Sequence, residues 1–335
     1  MQVNPKELDK LPYYQNKPAD GRAAVVWPFE TNGELYLPMP NPSTGEIVIL
    51  KPVLQGAGSY FAKALLDPVS DAHIPFLELF LQRLSFPRPM GIVHTVVNDL
   101  LNFGAVLEKH DLIFRDYSRS PDVFRGHLFL IGTELEYLFY NIRSLYDQLH
   151  FVMRVIWEET ESPNRQVRIN QLPKSFADVA FEADDRLRNA DAITRMWGLP
   201  APLAGFYQEQ GDFFGTCRAI RDRVAHGGMS LSSIYYLDKG FAVDATEYPY
   251  SAFDCWPDRS LRNGKLGSVR ALIAHIADRS IGATSAYADA LQACIRLPDP
   301  IAPDWHIYVR GPYVSHLHRL SEYLDHPWVD KSNDG

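Results

Sequence analysis

Leu128-Phe-Leu-Ile131-Gly-Thr-Glu-Leu135-Glu-Tyr-Leu138-Phe-Tyr-Asn-Ile142-Arg-Ser-Leu145-Tyr-Asp-Gln-Leu149-His-Phe-Val152-Met-Arg-Val-Ile156 carries one unbroken pattern. Its numbered apolar residues alternate steps of three and four, the repeat that lines one face of an α-helix. No proline interrupts residues 122–162, so the helix can run about 50 Å at 1.5 Å per residue. Phe139, Tyr146 and Met153 form a second apolar row beside the first. A stripe that wide needs neighbours on more than one side, which predicts a multi-helix bundle rather than a two-helix rod.

The same period appears on both sides of this segment. Val93, Val96, Leu100, Phe103, Leu107 and Phe114 predict a helix of about 20 residues beginning at Met90. Phe206, Phe213, Cys217, Ile220 and Val224 predict another from near Leu203, with Gln210 as its polar exception and Gly227-Gly228 as its left-handed end. A last long helix is expected over Lys265–Ile295. A further helix (Phe176–Arg188) falls in the polar interval bracketed by Pro163, Pro173, Pro200 and Pro202. Ile234–Leu237 and Phe241–Val243 flank Asp238-Lys-Gly240 and read as a hairpin near residues 233–244.

Residues 1–89 differ, holding twelve of the 24 prolines. Long helices cannot form there, and the short runs Ala24–Phe29, Leu35–Leu37 and Glu46–Lys51 predict a small antiparallel meander. A short helix is expected over Phe76–Leu84. Residues 301–335 supply a strand (His306–Val309) and a short helix (Tyr313–Leu324). The expected fold is therefore mainly α. A helical bundle occupies residues 90–300 and carries the hairpin, preceded by a β-containing segment and followed by a tail.

The chain has 335 residues, 46% of them apolar and 22% charged, with a net charge of −8. That balance is globular rather than disordered, and an acidic chain is a poor duplex-DNA binder. Cys217, Cys255 and Cys294 are scattered and odd in number, which gives neither a disulfide framework nor a cysteine-rich zinc site. The N-terminus lacks a signal-like apolar region, and no uncharged run reaches membrane-spanning length. The expectation is a cytoplasmic protein without a membrane span.

One stretch has a chemical shape: Arg218-Ala-Ile-Arg221-Asp222-Arg223-Val-Ala-His226-Gly-Gly. Arg221-Asp222-x3-His226 resembles the R-x(4–6)-H signature of the HEPN superfamily, the higher-eukaryote and prokaryote nucleotide-binding domains. The resemblance covers the motif and, with the long helix upstream, residues 120–230. It implies a helical bundle and, as in many members, a metal-independent endoribonuclease with two copies of the motif across a dimer interface.

The residue types suit that chemistry. Arginine offers a fixed charge and a planar fork for phosphate. Histidine moves protons near neutral pH. On a helical wheel Arg221 lies about 100° from Ile220, with Asp222 and His226 near 200° and 240°. The pair thus brackets a face turned from the core, as a site shared between subunits would need. The plainer reading is a solvated helix end with Asp222 and His226 as an i,i+4 pair.

A polar stripe on the long helix, Glu136, Tyr140, Arg143, Asp147, His150 and Arg154, allows two readings as well. It either lines a groove opposite the motif, with Arg143 on phosphate or Asp147 orienting an active-site arginine, or it is a solvated face with helical ion pairs. His316-x-His318, with His326, cannot share an ion on one helix and reads as surface histidines. No phosphate loop, dinucleotide fingerprint, nucleophile elbow or metalloprotease motif occurs.

The expected function is an RNase in which Arg221 binds the scissile phosphate, His226 moves the proton and Asp222 positions the pair. Arg218, Arg223, Arg143 and Asp147 are the expected substrate contacts, and neither a metal nor a cofactor is implied. The expected partners are a second copy of the chain, RNA or a nucleotide in transient contact, and, by the resemblance, an antitoxin-like protein in a toxin or defence system. The alternative is an inactive scaffold of the same type that binds a nucleotide or a protein. Residues 218–223 carry three arginines against one aspartate, so the motif is expected to be locally basic on an acidic chain.

Overall fold

In the computed structural model the opening pattern lies on one 34-residue helix, Gly126–Glu159. From Ile131 to Ile156 every member of the apolar row is 2% exposed or less. The structure describes residues 58–83, 88–119, 126–159, 171–228 and 231–329, short of positions 66, 232, 298 and 301–304. Before residue 58 it describes the backbone of the strands alone.

In chain order the described helices are α1 (Pro75–Leu81), α2 (Met90–Arg119), α3 (Gly126–Glu159), α4 (Phe176–Ala180) and α5 (Ala190–Trp197). They continue with α6 (Ala201–His226), α7 (Val269–Cys294), α8 (Val314–His318) and α9 (Leu320–Asp325). α2 and α6 each pack on both α3 and α7, which closes a four-helix bundle. Partners across α2 and α3 run in opposite senses: Asp99 with Asn141, Lys109 with Glu134, Asp116 with His127. The two helices are therefore antiparallel. Across α3 and α6, His150 meets Tyr207 and Tyr146 meets Gln210, again antiparallel. The polar exception on α6 is thus explained, because Gln210 accepts the hydrogen bond of the buried Tyr146 hydroxyl at 3.2 Å.

α2 is ten residues longer than a 20-residue helix would be, since polar residues carry it to Arg119 beyond the apolar row. Its length and hydropathy would suit a membrane span, but 56% of its most apolar window is buried inside the bundle. The helix expected over Phe176–Arg188 is replaced by α4 and a tight turn, and α5 follows from Ala190. Ser175 and Asn189 cap the two helices, and Gly198 ends α5 in the left-handed conformation. The helix expected from Lys265 begins at Val269, because Leu266–Ser268 pairs as a strand and the Ser268 hydroxyl caps the helix.

The strands are β1 (Gln2–Val3), β2 (Ala23–Val26), β3 (Phe29–Thr31), β4 (Glu34–Pro40), β5 (Ile47–Leu50) and β6 (Gly58–Ala62). After them come β7 (Asp71–His73), β8 (Ile234–Leu237), β9 (Gly240–Asp244), β10 (Leu266–Ser268) and β11 (His306–Arg310). The meander appears as β3–β5 in the sheet β1-β5-β4-β3, while β2 departs to another sheet. The hairpin β8–β9 gains β10 as a third strand. In the sheet β2-β6-β11-β7 the strand β11 of the tail lies between two strands of the N-terminal segment. A fork of hydrogen bonds from Arg310 to the fully buried Asp71, at 2.6 and 2.7 Å, pins that register.

Two features of the bundle give measurable consequences. A Cβ on Gly104 of α2 would lie 2.5 Å from the Tyr313 carbonyl oxygen at the start of α8, whereas one on Gly282 of α7 meets nothing within 4 Å. Gly104→Ala is expected to lower stability by about 1–3 kcal/mol, because a clash with backbone outweighs helix propensity. Gly282→Ala is expected to raise it by about 0.5–1 kcal/mol. Urea denaturation of the two variants checks the opposite signs.

The second feature is Asp99, 8% exposed beneath the α2–α3 contact. Burial pushes its carboxyl up to about 6, against hydrogen bonds from Ser144 and Gln148 that lower it. The folded state then holds a proton that the unfolded chain releases, so stability falls as pH rises from about 4 to 6. Asp99→Asn is expected to remove that slope and to stabilise the protein at pH 7 by on the order of 1–3 kcal/mol. Melting temperatures across pH 4–7 measure both effects.

Candidate functional site

The motif occupies the last turns of α6, held there by Cys217 and Ile220, which are 1% and 0% exposed. The helix closes with the Gly227 N–H on the Arg223 carbonyl at 2.8 Å, and Gly228 (φ 67°) takes the left-handed conformation. Arg221 leans from the apolar edge toward α3, its guanidinium 5.8 Å from the Tyr140 ring centre and its side chain 21% exposed. Its Nη1 donates to Asp222 Oδ1 at 2.5 Å. Its Nε is buried and meets no acceptor among the described residues. His226 is exposed and forms no hydrogen bond or ion pair with them.

Asp222 is shared. Besides Arg221 it faces Arg218 at 3.6 Å, and Arg218 also donates to Asp185 at 3.2 Å. Asp185 comes from the tight turn between α4 and α5, where the Phe181–Leu187 bridge and its own φ of 60° place it. Asp185, Asp212, Arg218 and Asp222 line a cleft of ≈ 300 Å³. The expected basic patch is therefore charge-balanced, because folding brings carboxylates that the motif's own segment does not contain. Arg223 is exposed and stacks over Tyr248 at 4.5 Å.

The polar stripe of α3 divides. Tyr140 meets the motif, through Arg221. Arg143 pairs with Asp147 at 2.6 Å and lies 5.6 Å over the Phe214 ring. Asp147 also accepts the Phe176 N–H at 3.2 Å, which satisfies a donor at the start of α4. Phe176 stacks among Tyr146, Tyr207 and Phe214, so this ion pair holds α4 against the bundle. His150 is buried, with Nε2 donating to the Pro173 carbonyl and Nδ1 accepting from Tyr207. Burial pushes its pKa down and keeps it neutral.

His316 is not a surface histidine. It is 7% exposed and bridges Tyr323 and Glu108, while His318 bonds the Asp71 carbonyl. Among the described residues the histidines that do converge are His73 and His306, with Glu78 between them, and all three offer ligand atoms within 4.8 Å of one another. Burial pushes the Glu78 carboxyl up, and the His73 and Ile307 N–H contacts more than offset this, leaving it below its usual range. No local spacing announces this group, since β7, α1 and β11 bring it together across the chain.

Comparison of the chain with models of known protein families, with curated proteins and with solved structures finds no match. Function therefore rests on the geometry.

Asp147→Ala removes both the Arg143 pair and the acceptor at α4. It is expected to cost about 1–2 kcal/mol, read as a lower melting temperature, with Asp147→Asn recovering part of the loss.

Proposed function

We propose that the chain is a metal-independent endoribonuclease of HEPN type that acts as a homodimer. The end of α6 carries this reading: an exposed imidazole five residues beyond an arginine whose buried Nε has no acceptor among the described residues. An unmet donor of that kind costs about 1–3 kcal/mol, which a phosphate oxygen would recover once the Arg221 side chain turns its Nε outward. The four-helix bundle around α3 and α6 agrees with the architecture that the motif's resemblance implies.

Without a metal, the nucleophile at hand in RNA is the ribose 2′-hydroxyl. Its oxygen attacks phosphorus and the bond to the 5′-oxygen breaks, leaving a 2′,3′-cyclic phosphate and a 5′-hydroxyl. Arg221 takes the phosphate charge as it grows. His226 of one subunit removes the 2′ proton, and the same residue of the other supplies one to the leaving oxygen. Asp222 holds Arg221 in place. Arg218 and Arg223 face neighbouring phosphates, and the exposed rings of Tyr140 and Tyr248, 44% accessible each, offer stacking surfaces for bases. By the same resemblance, the setting would be a toxin or defence system with a partner protein.

The charge balance around Asp222 favours a second reading, nucleotide binding without cleavage. Labelled RNA incubated in EDTA with wild type, Arg221→Ala and His226→Ala separates the two. Cleavage by wild type is expected, with at least a hundredfold loss in each variant at matched melting temperature. Binding without cleavage would establish the second reading, and equal cleavage by all three proteins would remove the motif from the chemistry. Light scattering should report a dimer at micromolar concentration.

A further inference from the structure

A second site stands apart from α6 and does not rest on the ribonuclease reading. The cross-strand register pairs His73 of β7 with Tyr308 of β11, which sets His306 diagonally across on the same sheet face. The two imidazole centres lie 5.5 Å apart, one edge toward the other's face. Glu78, one turn into α1, reaches both: Oε2 lies 2.6 Å from His73 Nε2, and Oε1 lies 3.3 Å from His306 Nδ1. Beside them opens a cleft of ≈ 330 Å³, walled by Pro75, Leu79 and Trp305.

We propose that His73 Nε2, His306 Nδ1 and the Glu78 carboxylate bind a divalent transition metal of the zinc class, with a remaining coordination position facing this cleft. Two imidazoles and a carboxylate are a zinc donor set, and three protein ligands leave room for water or a small ligand. Magnesium and calcium prefer six or more oxygens, which this group does not offer. Tetrahedral zinc with bonds of about 2.0–2.1 Å separates its ligand atoms by about 3.3 Å. The His306 Nδ1 to Glu78 Oε1 distance already has that value, while His73 Nε2 lies against the other oxygen, Oε2, so a carboxylate held through both oxygens needs that second contact to open by about 0.7 Å.

The frame is set by bonds that do not use the ring nitrogens. The Ile307 N–H donates to Glu78 Oε2 at 3.1 Å, orienting the carboxylate from outside the coordination sphere. Gln82, 3% exposed, donates to the Trp305 carbonyl at 2.5 Å and so ties the end of α1 to the start of β11. A divalent ion with one carboxylate keeps a net charge of +1, so the open position favours water, hydroxide or an anionic oxygen.

The test uses the full chain, stripped with chelator and dialysed against zinc. One zinc per chain is expected in wild type and in the His326→Ala control, undisturbed by millimolar magnesium. Glu78→Gln and His306→Asn are expected to bind at least tenfold more weakly while keeping the wild-type circular dichroism spectrum. As a readout independent of dialysis, zinc should raise the melting temperature of wild type and not of the two variants. Cobalt in place of zinc should give visible absorption bands of a four-coordinate site. The assignment is overturned if wild type binds no stoichiometric zinc, or if both variants bind and are stabilised as wild type is. EDTA-resistant RNA cleavage would leave this result untouched, so the two sites stand or fall separately.

Discussion

The described helices are positioned by the need to bury a helix face too wide for one partner. α3 presents two apolar rows, so α2, α6 and α7 must gather round it, and this packing sets the geometry of α6. Its antiparallel course along α3 places Tyr207 by His150, Gln210 by Tyr146 and Arg221 by Tyr140. Of the polar groups this packing traps, Tyr207, His150, Tyr146 and Gln210 find partners at the contact itself, whereas the Arg221 Nε meets no acceptor among the described residues. The motif reaches the end of the bundle because the buried apolar row of α6 ends there, at Ile220. Residues beyond Ile220 are free to carry charge.

That charge is handled with aromatic faces as much as with carboxylates. Arg143 lies over Phe214, Arg221 over Tyr140 and Arg223 over Tyr248. A guanidinium on a ring keeps its forward donors available while its flat side is desolvated. Of the three, Arg143 is committed to Asp147 and to the seating of α4. Arg221 gives one donor to Asp222, and its buried Nε meets no acceptor among the described residues.

The legible parts of the fold were those with a local cause. The 3–4 spacing identified α3 and α6, and Asp238-Lys-Gly240 marked the hairpin, because the period and the turn residues are adjacent in the chain. Where a distant contact decides the outcome, spacing misled. Leu266 continues a helical pattern yet pairs with Asp244 as a strand. His316 resembles a surface residue until Glu108 and Tyr323 close over it. Arg218 appears to enlarge a basic patch until Asp185 arrives from another turn. His73, Glu78 and His306 belong to elements that only the completed sheet assembles, and no window of sequence contains them all.

The place of β11 between β6 and β7 has a consequence for how the molecule is made. Translation delivers β6 and β7 long before β11, the strand that lies between them in the finished sheet. Until then the nascent chain carries open strand edges, and Asp71 waits without Arg310. The neighbours α2 and α3 can pack early, whereas the bundle closes only with α7 and the sheet only with β11, each over a long chain loop, a slow step by its topology. A chain cut before residue 306 would therefore contain the α6 motif and His73 yet lack His306, so the two sites differ in how much of the sequence each requires.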